Sequence, residues 1–249
     1  MTGTLLAVPL TATGLKAPTH PILKFPFIGP GPNLERQESS HPHQVYQRSS
    51  SEILIPDLGA DKIWRLAPSA SGEWEIKGEV ACASGAGPRH VQLVASDLYV
   101  LNELNNTLSH YTLPGGLGTT ASVRTTQPCT LLPTPPGAGA AELLLHPAGK
   151  YLYATNRDSG DAKGDTIAIF KLEASVLALG AKEPKWVKEV HTGLEHIRGA
   201  VIKELDGKVW LIAAGVKGGG IKVFEVVGGE NLVEVAHAAI EKVTGFAWL

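Results

Sequence analysis

Apolar positions along this chain come in short runs or alternate with polar ones, and almost nowhere do they keep a 3.6-residue period for about ten residues. The runs fall into matching sets. Residues 53–56, 98–102, 151–156 and 209–213 are strongly apolar. Each is followed by a run rich in β-branched and aromatic side chains, at 62–66 (KIWRL), 107–112 (TLSHYT), 166–172 (TIAIFKL) and 220–226 (GIKVFEV). A further run closes each set, at 73–80, 122–127, 185–191 and 232–238, and a strand-like stretch introduced by a His or Arg opens it. The pattern predicts β-strands throughout. Two more strands are expected at 4–10 and 21–28, around a turn at Thr13-Gly14, and residues 29–42 read as a polar, Pro/Gly-rich connection. Only 172–182 (LEASVLALGAK) passes as a helix, and its strand-like flanks make it a strand-to-strand connection.

The sets repeat. From Pro56 to Asn102 is 46 residues, from Asn102 to Asn156 is 54, and from Asn156 to Ala214 is 58. A period of about 40–60 residues with about four strands per unit marks propeller blades. The prediction is an all-β propeller over 1–249 as a single domain. It comprises a partial blade and connection at 1–42, four blade repeats at 43–239, and a closing inner strand at 244–249 (TGFAWL).

Composition narrows the function classes. The 249 residues carry 22 Lys+Arg against 24 Asp+Glu, a net charge of −2 with no basic run, so nucleic acid is not an expected partner. No stretch reaches the ~20 apolar residues of a membrane span, and the N-terminus lacks the basic region of a signal peptide, so a cytoplasmic protein is expected. Cys82 and Cys129 stand apart with no ligand spacing and read as reduced thiols.

In a propeller, equivalent positions of successive repeats converge on the mouth of the channel. His43, Arg89, His90, Glu142 and Arg198 share the position that opens the first strand. Asp57, Glu103 and Arg157 share the position that ends the second. Guanidiniums bind carboxylates, phosphates and oxyanions, and a Glu or His beside them moves protons. Plainer roles compete: Asp57 and Asp61 bracket a turn that Asp commonly caps, Glu103 pairs with Arg89 in a bridge, and His90 serves a backbone carbonyl. His41 and His43 lack a third ligand at metal spacing, so no metal is expected. His20, His110, His146, His191, His196 and His237 show no constellation. GxSxG is absent, and Gly218-Gly219-Gly220 precedes a strand, which excludes a phosphate cradle on a helix.

The motifs HPHQV, ILIPDLGADKI, GAGPRH, LYVLNELNNTL, AAELLLHPAGKYLYATNR and TGFAWL together resemble the lactonase family of seven-bladed β-propellers, over about 29–249. That family includes the propeller-type 6-phosphogluconolactonases and the fungal carboxy-cis,cis-muconate cyclases. The resemblance implies catalysis by His43, Arg89, Glu103 and Arg157, while the shared repeat positions make His90, Glu142, Arg198 and Asp57 the expected substrate contacts. It implies hydrolysis of a small anionic sugar lactone without a cofactor, either Glu103 or His43 activating water. The alternatives are the reverse, lactonising chemistry on a carboxymuconate, and an inactive propeller serving as an interaction platform. Relatives begin about two blades before Met1, and open edge strands predict self-association.

Overall fold

The computed structural model describes residues 3–18, 20–174 and 182–248. Among them there is no helix; every regular element is a strand. In chain order these are β1 (Thr4–Leu5), β2 (Leu10–Thr11), β3 (Gly14–Leu15), β4 (Leu23–Lys24), β5 (Tyr46–Ser49), β6 (Glu52–Asp57), β7 (Lys62–Pro68) and β8 (Trp74–Ala81). There follow β9 (Pro88–Val94), β10 (Asp97–Asn102), β11 (Thr107–Thr112), β12 (Ser122–Pro128), β13 (Gly139–Leu145) and β14 (Tyr151–Arg157). The last are β15 (Thr166–Ala174), β16 (Lys182–His191), β17 (Glu195–Leu205), β18 (Lys208–Gly218), β19 (Ile221–Val227) and β20 (Asn231–Ala238).

Sixteen of these strands make four four-stranded sheets, β5 to β8, β9 to β12, β13 to β16 and β17 to β20, each an antiparallel meander in sequence order. That is the blade unit the repeat predicts. The second and third strands of each set lie within a residue or two of the expected boundaries, apart from β18, which runs on to Gly218. The reason is their burial: β6 and β10 are buried along their whole length, so an unbroken apolar run is what each site demands. The fourth strands β12 and β20 are mostly exposed; β12 is correspondingly polar, whereas β20 shows Val233 and Val235 to solvent.

The chain packs as two compact units, residues 1–89 with 114–121, and residues 90–113 with 122–249. In the first, Phe25, Ile53, Ile55, Trp64 and Leu66 form the core. Arg65 lies fully buried there, its Nε donating to Glu52 Oε1 (2.7 Å) and its Nη atoms to the carbonyls of Gly116 and Pro114. In the second unit, Tyr99, Leu101, Leu108, Leu143, Leu152 and Phe170 fill one core, and Tyr153, Ile167, Ile169, Ile197, Leu211 and Phe224 another.

Three expectations change. The strands expected at 4–10 and 21–28 shrink to two-residue pairs, β1 with β4 and β2 with β3. Pro9, Pro21 and Pro26 supply no N–H to a ladder, which limits how far it extends. Residues 244–248 form no strand. That segment follows β17 closely, and a Cβ on Gly199 would lie 2.8 Å from Gly245 N. Trp248 sits beneath the Lys203 ammonium. No described strand gives this segment a hydrogen-bonded ladder, and without one it stays irregular. Of the connection expected at 172–182, Leu172–Ala174 end β15 and Lys182 begins β16; the residues between lie outside those described.

Candidate functional site

The second unit brings together two of the charged pairs that the sequence placed at repeat positions. Arg157 ends β14 and Glu103 follows β10; Arg157 Nη2 lies 2.7 Å from Glu103 Oε1. Both are buried, Glu103 at 2% exposure and Arg157 at 9%. Such a pair is costly to desolvate. Arg157 Nε is buried and has no hydrogen-bond partner among the described residues. A buried unsatisfied donor costs about 1–3 kcal/mol.

Gly139 makes room for the pair. It sits opposite Arg157 in the β13–β14 ladder and is buried. A Cβ on it would lie 3.1 Å from Glu103 Cγ, 3.2 Å from the Glu103 carbonyl oxygen and 3.8 Å from Arg157 Nε. Its φ lies outside the left-handed region, so close approach, not backbone conformation, is what favours glycine here.

The strand ends carrying this pair are fastened by side chains. The Asn156 amide donates to the Cys129 carbonyl (2.6 Å) and the Thr166 hydroxyl (3.3 Å), and accepts from the Cys129 thiol (3.2 Å). One repeat earlier, Asn102 donates to Thr107 and Ser109, both at 2.9 Å. Burial pushes the Cys129 thiol far above its ordinary pKa, with the Glu189 charge adding to the effect.

The second pair is His90 with Glu142, Nδ1 to Oε2 at 3.0 Å, both partly exposed. Glu142 stands in a bulge: Ala140 pairs with Asn156 and Leu143 with Ala154, leaving two residues opposite Thr155. The Thr155 hydroxyl, fully buried, accepts the Glu142 N–H (2.9 Å) and satisfies the amide freed by the bulge.

The remaining candidates are placed as follows. Arg89 is buried on β9, at 2% exposure. His43 is exposed ahead of β5, its N–H donating to the Pro56 carbonyl (2.9 Å). Arg198 is exposed on β17. Asp57 is corrected. In register Asp57 faces Lys62 as Asn102 faces Thr107, so its counterparts are Asn102 and Asn156, and Leu58 occupies the place of Glu103 and Arg157. The shift of one residue turns a side chain to the other face. Asp57 is fully buried, and its oxygens accept from Ser40, His41 N, Ala60 N and Trp64 Nε1, which makes it a structural residue and not a substrate contact.

Two features escaped the sequence. His110 lies fully buried with Nε2 2.8 Å from Asp97 Oδ1 and is stacked on Tyr99. His196, Lys217, Asp158, Asp161, Asp165 and Glu195 line an acidic cleft of about 340 Å³. Burial raises the Asp158 carboxyl, but hydrogen bonds from Lys217 and His196, and their charges, more than offset it and hold it below its usual range. Asp165 is filled by Ser159 and the His196 N–H. Among the described residues no cluster has the arrangement of a metal site.

Comparison with known proteins gives the chain a setting. Residues 1–241 match the family model described as "Lactonase, 7-bladed beta-propeller". A protein of Arthroderma benhamiae named "Probable 6-phosphogluconolactonase" is 32% identical over 209 residues, 80% of this chain and 50% of that protein. The 6-phosphogluconolactonase of an Enterobacter species is 30% identical over 190 residues, 73% of this chain and 52% of its own length. The chain therefore spans about half the length of the curated relatives it matches. A crystal structure from Lactobacillus plantarum superposes with a TM-score of 0.82 at 17% identity, covering 98% of this chain and 67% of that one, and shows the same propeller fold.

Proposed function

We propose that this chain, which belongs to the seven-bladed β-propeller lactonase family, hydrolyses a sugar lactone of the 6-phosphogluconolactone type. The observation that carries the reading is the buried Glu103–Arg157 pair beneath the side-chain-free Gly139. Relatives at 30% and 32% identity that bear the phosphogluconolactonase name support the substrate class. Hydrolysis of a lactone places negative charge on the former carbonyl oxygen as water adds. A guanidinium held in place by a carboxylate is suited to stabilise that charge. Glu103 fixes the orientation of Arg157. The reaction needs proton transfer and charge stabilisation only, so no cofactor enters. The resemblance also assigns Arg89 and His43 to the reaction, and a cytoplasmic setting suits a sugar-phosphate substrate; both belong to this proposal.

The test is hydrolysis of freshly generated 6-phosphogluconolactone by the purified chain, with Glu103→Gln beside it. Turnover that falls at least 100-fold in the variant, at unchanged circular dichroism, is the expected result. A folded wild-type chain with no turnover above the spontaneous rate refutes the reading.

A further inference from the structure

We propose that Asp158 and His196 form a clamp that positions Arg157, which makes both of them positioning residues for the lactone chemistry. The inference rests on the lactonase reading and names what holds the guanidinium's backbone where its strand ends. On one side Arg157 pairs with Gly139 of β13. On the other, the β14–β15 register stops at Thr155 and Ile167, two residues short of Arg157. The chain leaves β14 at Asp158, which is left-handed with a φ of 57°, and the Asp158 side chain reaches the next sheet.

His196 Nδ1 donates to Asp158 Oδ2 at 2.6 Å, and the Lys217 ammonium donates to Oδ1 at 2.6 Å. His196 belongs to β17 and Lys217 to β18, so the residue after Arg157 is tied to a sheet other than its own. The Lys217 side chain is exposed, and such an ion pair is worth little, whereas His196 and Asp158 are both partly buried. His196 is left-handed too, with a φ of 59°. Asp and His tolerate that conformation better than most residues, and it persists where the surroundings fix it. Here they do. The His196 N–H donates to Asp165 Oδ2 at 2.6 Å, while the Ser159 N–H and hydroxyl donate to Oδ1, both at 3.0 Å. Asp165 is buried; its N–H donates to the Leu194 carbonyl, and its carbonyl accepts from the Thr192 hydroxyl, both at 2.7 Å. The loop 158–165 is thus fastened at both ends to residues 192–196. Burial opposes the charge on Asp158, but hydrogen bonds from Lys217 and His196, and their charges, more than offset it, so the carboxylate stays ionised at neutral pH.

Arg157 is therefore held twice. Glu103 grips the guanidinium at Nη2, and the clamp grips the backbone one residue on. With residue 158 released, the backbone that carries the guanidinium shifts while its far end stays on Glu103, and a misplacement of 1 Å costs about 100-fold in rate. Asp158 and His196 act through Arg157 and not on the substrate.

The experiment compares wild type with Asp158→Gly, Asp158→Asn and His196→Ala, each shown to be folded by circular dichroism. It measures kcat and KM for 6-phosphogluconolactone, and hydrogen exchange at the arginine Nε–H groups by NMR, with the Arg157 resonance assigned from Arg157→Lys. Glycine accepts the left-handed φ, so Asp158→Gly removes the side-chain contacts without straining the backbone. Asparagine tolerates the same φ and keeps an acceptor oxygen. We expect Asp158→Gly and His196→Ala to lose about tenfold in kcat with KM within twofold, and Asp158→Asn to lose less than about threefold. The Arg157 Nε–H should exchange at least about tenfold faster in Asp158→Gly, while that of Arg65, in the other unit, keeps its wild-type rate. A folded Asp158→Gly with kcat within twofold of wild type, or with Arg157 exchanging at the wild-type rate, shows a clamp that serves only its loop and overturns the proposal. An Asp158→Asn no faster than Asp158→Gly overturns it too, because placement of the acceptor is then not what counts. A wild-type chain without turnover refutes the lactonase reading, and the exchange rates still decide whether the clamp holds Arg157.

Discussion

Adding one methyl group at Gly139 tests whether the Glu103–Arg157 geometry matters for turnover. In Gly139→Ala the new Cβ meets Glu103 Cγ at 3.1 Å and the Glu103 carbonyl oxygen at 3.2 Å. Both contacts are tighter than van der Waals separation, so Glu103 must give by a few tenths of an ångström. Overpacking of this kind costs about 1–3 kcal/mol, while replacing Gly by Ala at an ordinary φ returns about 0.4–1 kcal/mol through the unfolded chain. The net is a loss of about 1 kcal/mol, a fall of about 2–4 °C in Tm for a chain of this size. Activity responds more steeply: a misplacement of 1 Å costs about 100-fold, so a few tenths predicts a three- to tenfold loss in kcat. The assay pairs steady-state kinetics with thermal melting on the same preparation. Unchanged kcat in a variant whose Tm shifts as expected would show that the placement of Glu103 and Arg157 is irrelevant to turnover. That result would refute the reasoning.

Two further predictions concern residues outside the chemistry. Asp57→Ala strands four donors around a fully buried position, so urea unfolding should show a loss of about 2–3 kcal/mol, with KM for the lactone within twofold. Tyr99 and Tyr153 are fully buried and donate to the carbonyls of Lys182 and Gly229. Burial pushes both phenols well above their ordinary value, Asp97 adding to the first and Tyr151 to the second. Above about pH 10 the unfolded chain loses protons that the folded chain keeps, so stability falls as pH rises, by about 1.4 kcal/mol per unit for each phenol. Urea midpoints from pH 9 to 11 check this, and Tyr99→Phe should flatten the slope by one phenol's share.

The strands were legible because burial on both faces writes an apolar run directly into the chain, as in β6, β10 and β14. Glu103 and Arg157 were legible as repeat positions, but their pairing joins loops and strands of different sheets and no local pattern encodes it. Asp57 went to the wrong face because the chemical likeness of two carboxylates outweighed a one-residue difference in register, which only the Asp57–Lys62 pairing reveals. Gly139 gave no signal, since what it avoids is Glu103, contributed by the turn that follows a strand of another sheet. The bulge that aims Glu142 is likewise invisible in AAELLL, a stretch that reads as regular alternation gone flat.

The fastening of the strand ends has a consequence for how such a chain changes over time. Asn102 and Asn156 hold their hairpins through the same amide-to-threonine contact, while the residue that follows is Leu58 in one repeat, Glu103 in the next and Arg157 in the third. Each hairpin therefore acts as a socket, rigid in itself and indifferent to what is plugged in beside it. Selection acting on a chain of sockets can rewrite its chemistry one repeat at a time, by substitutions beside hairpins whose own fastening stays in place.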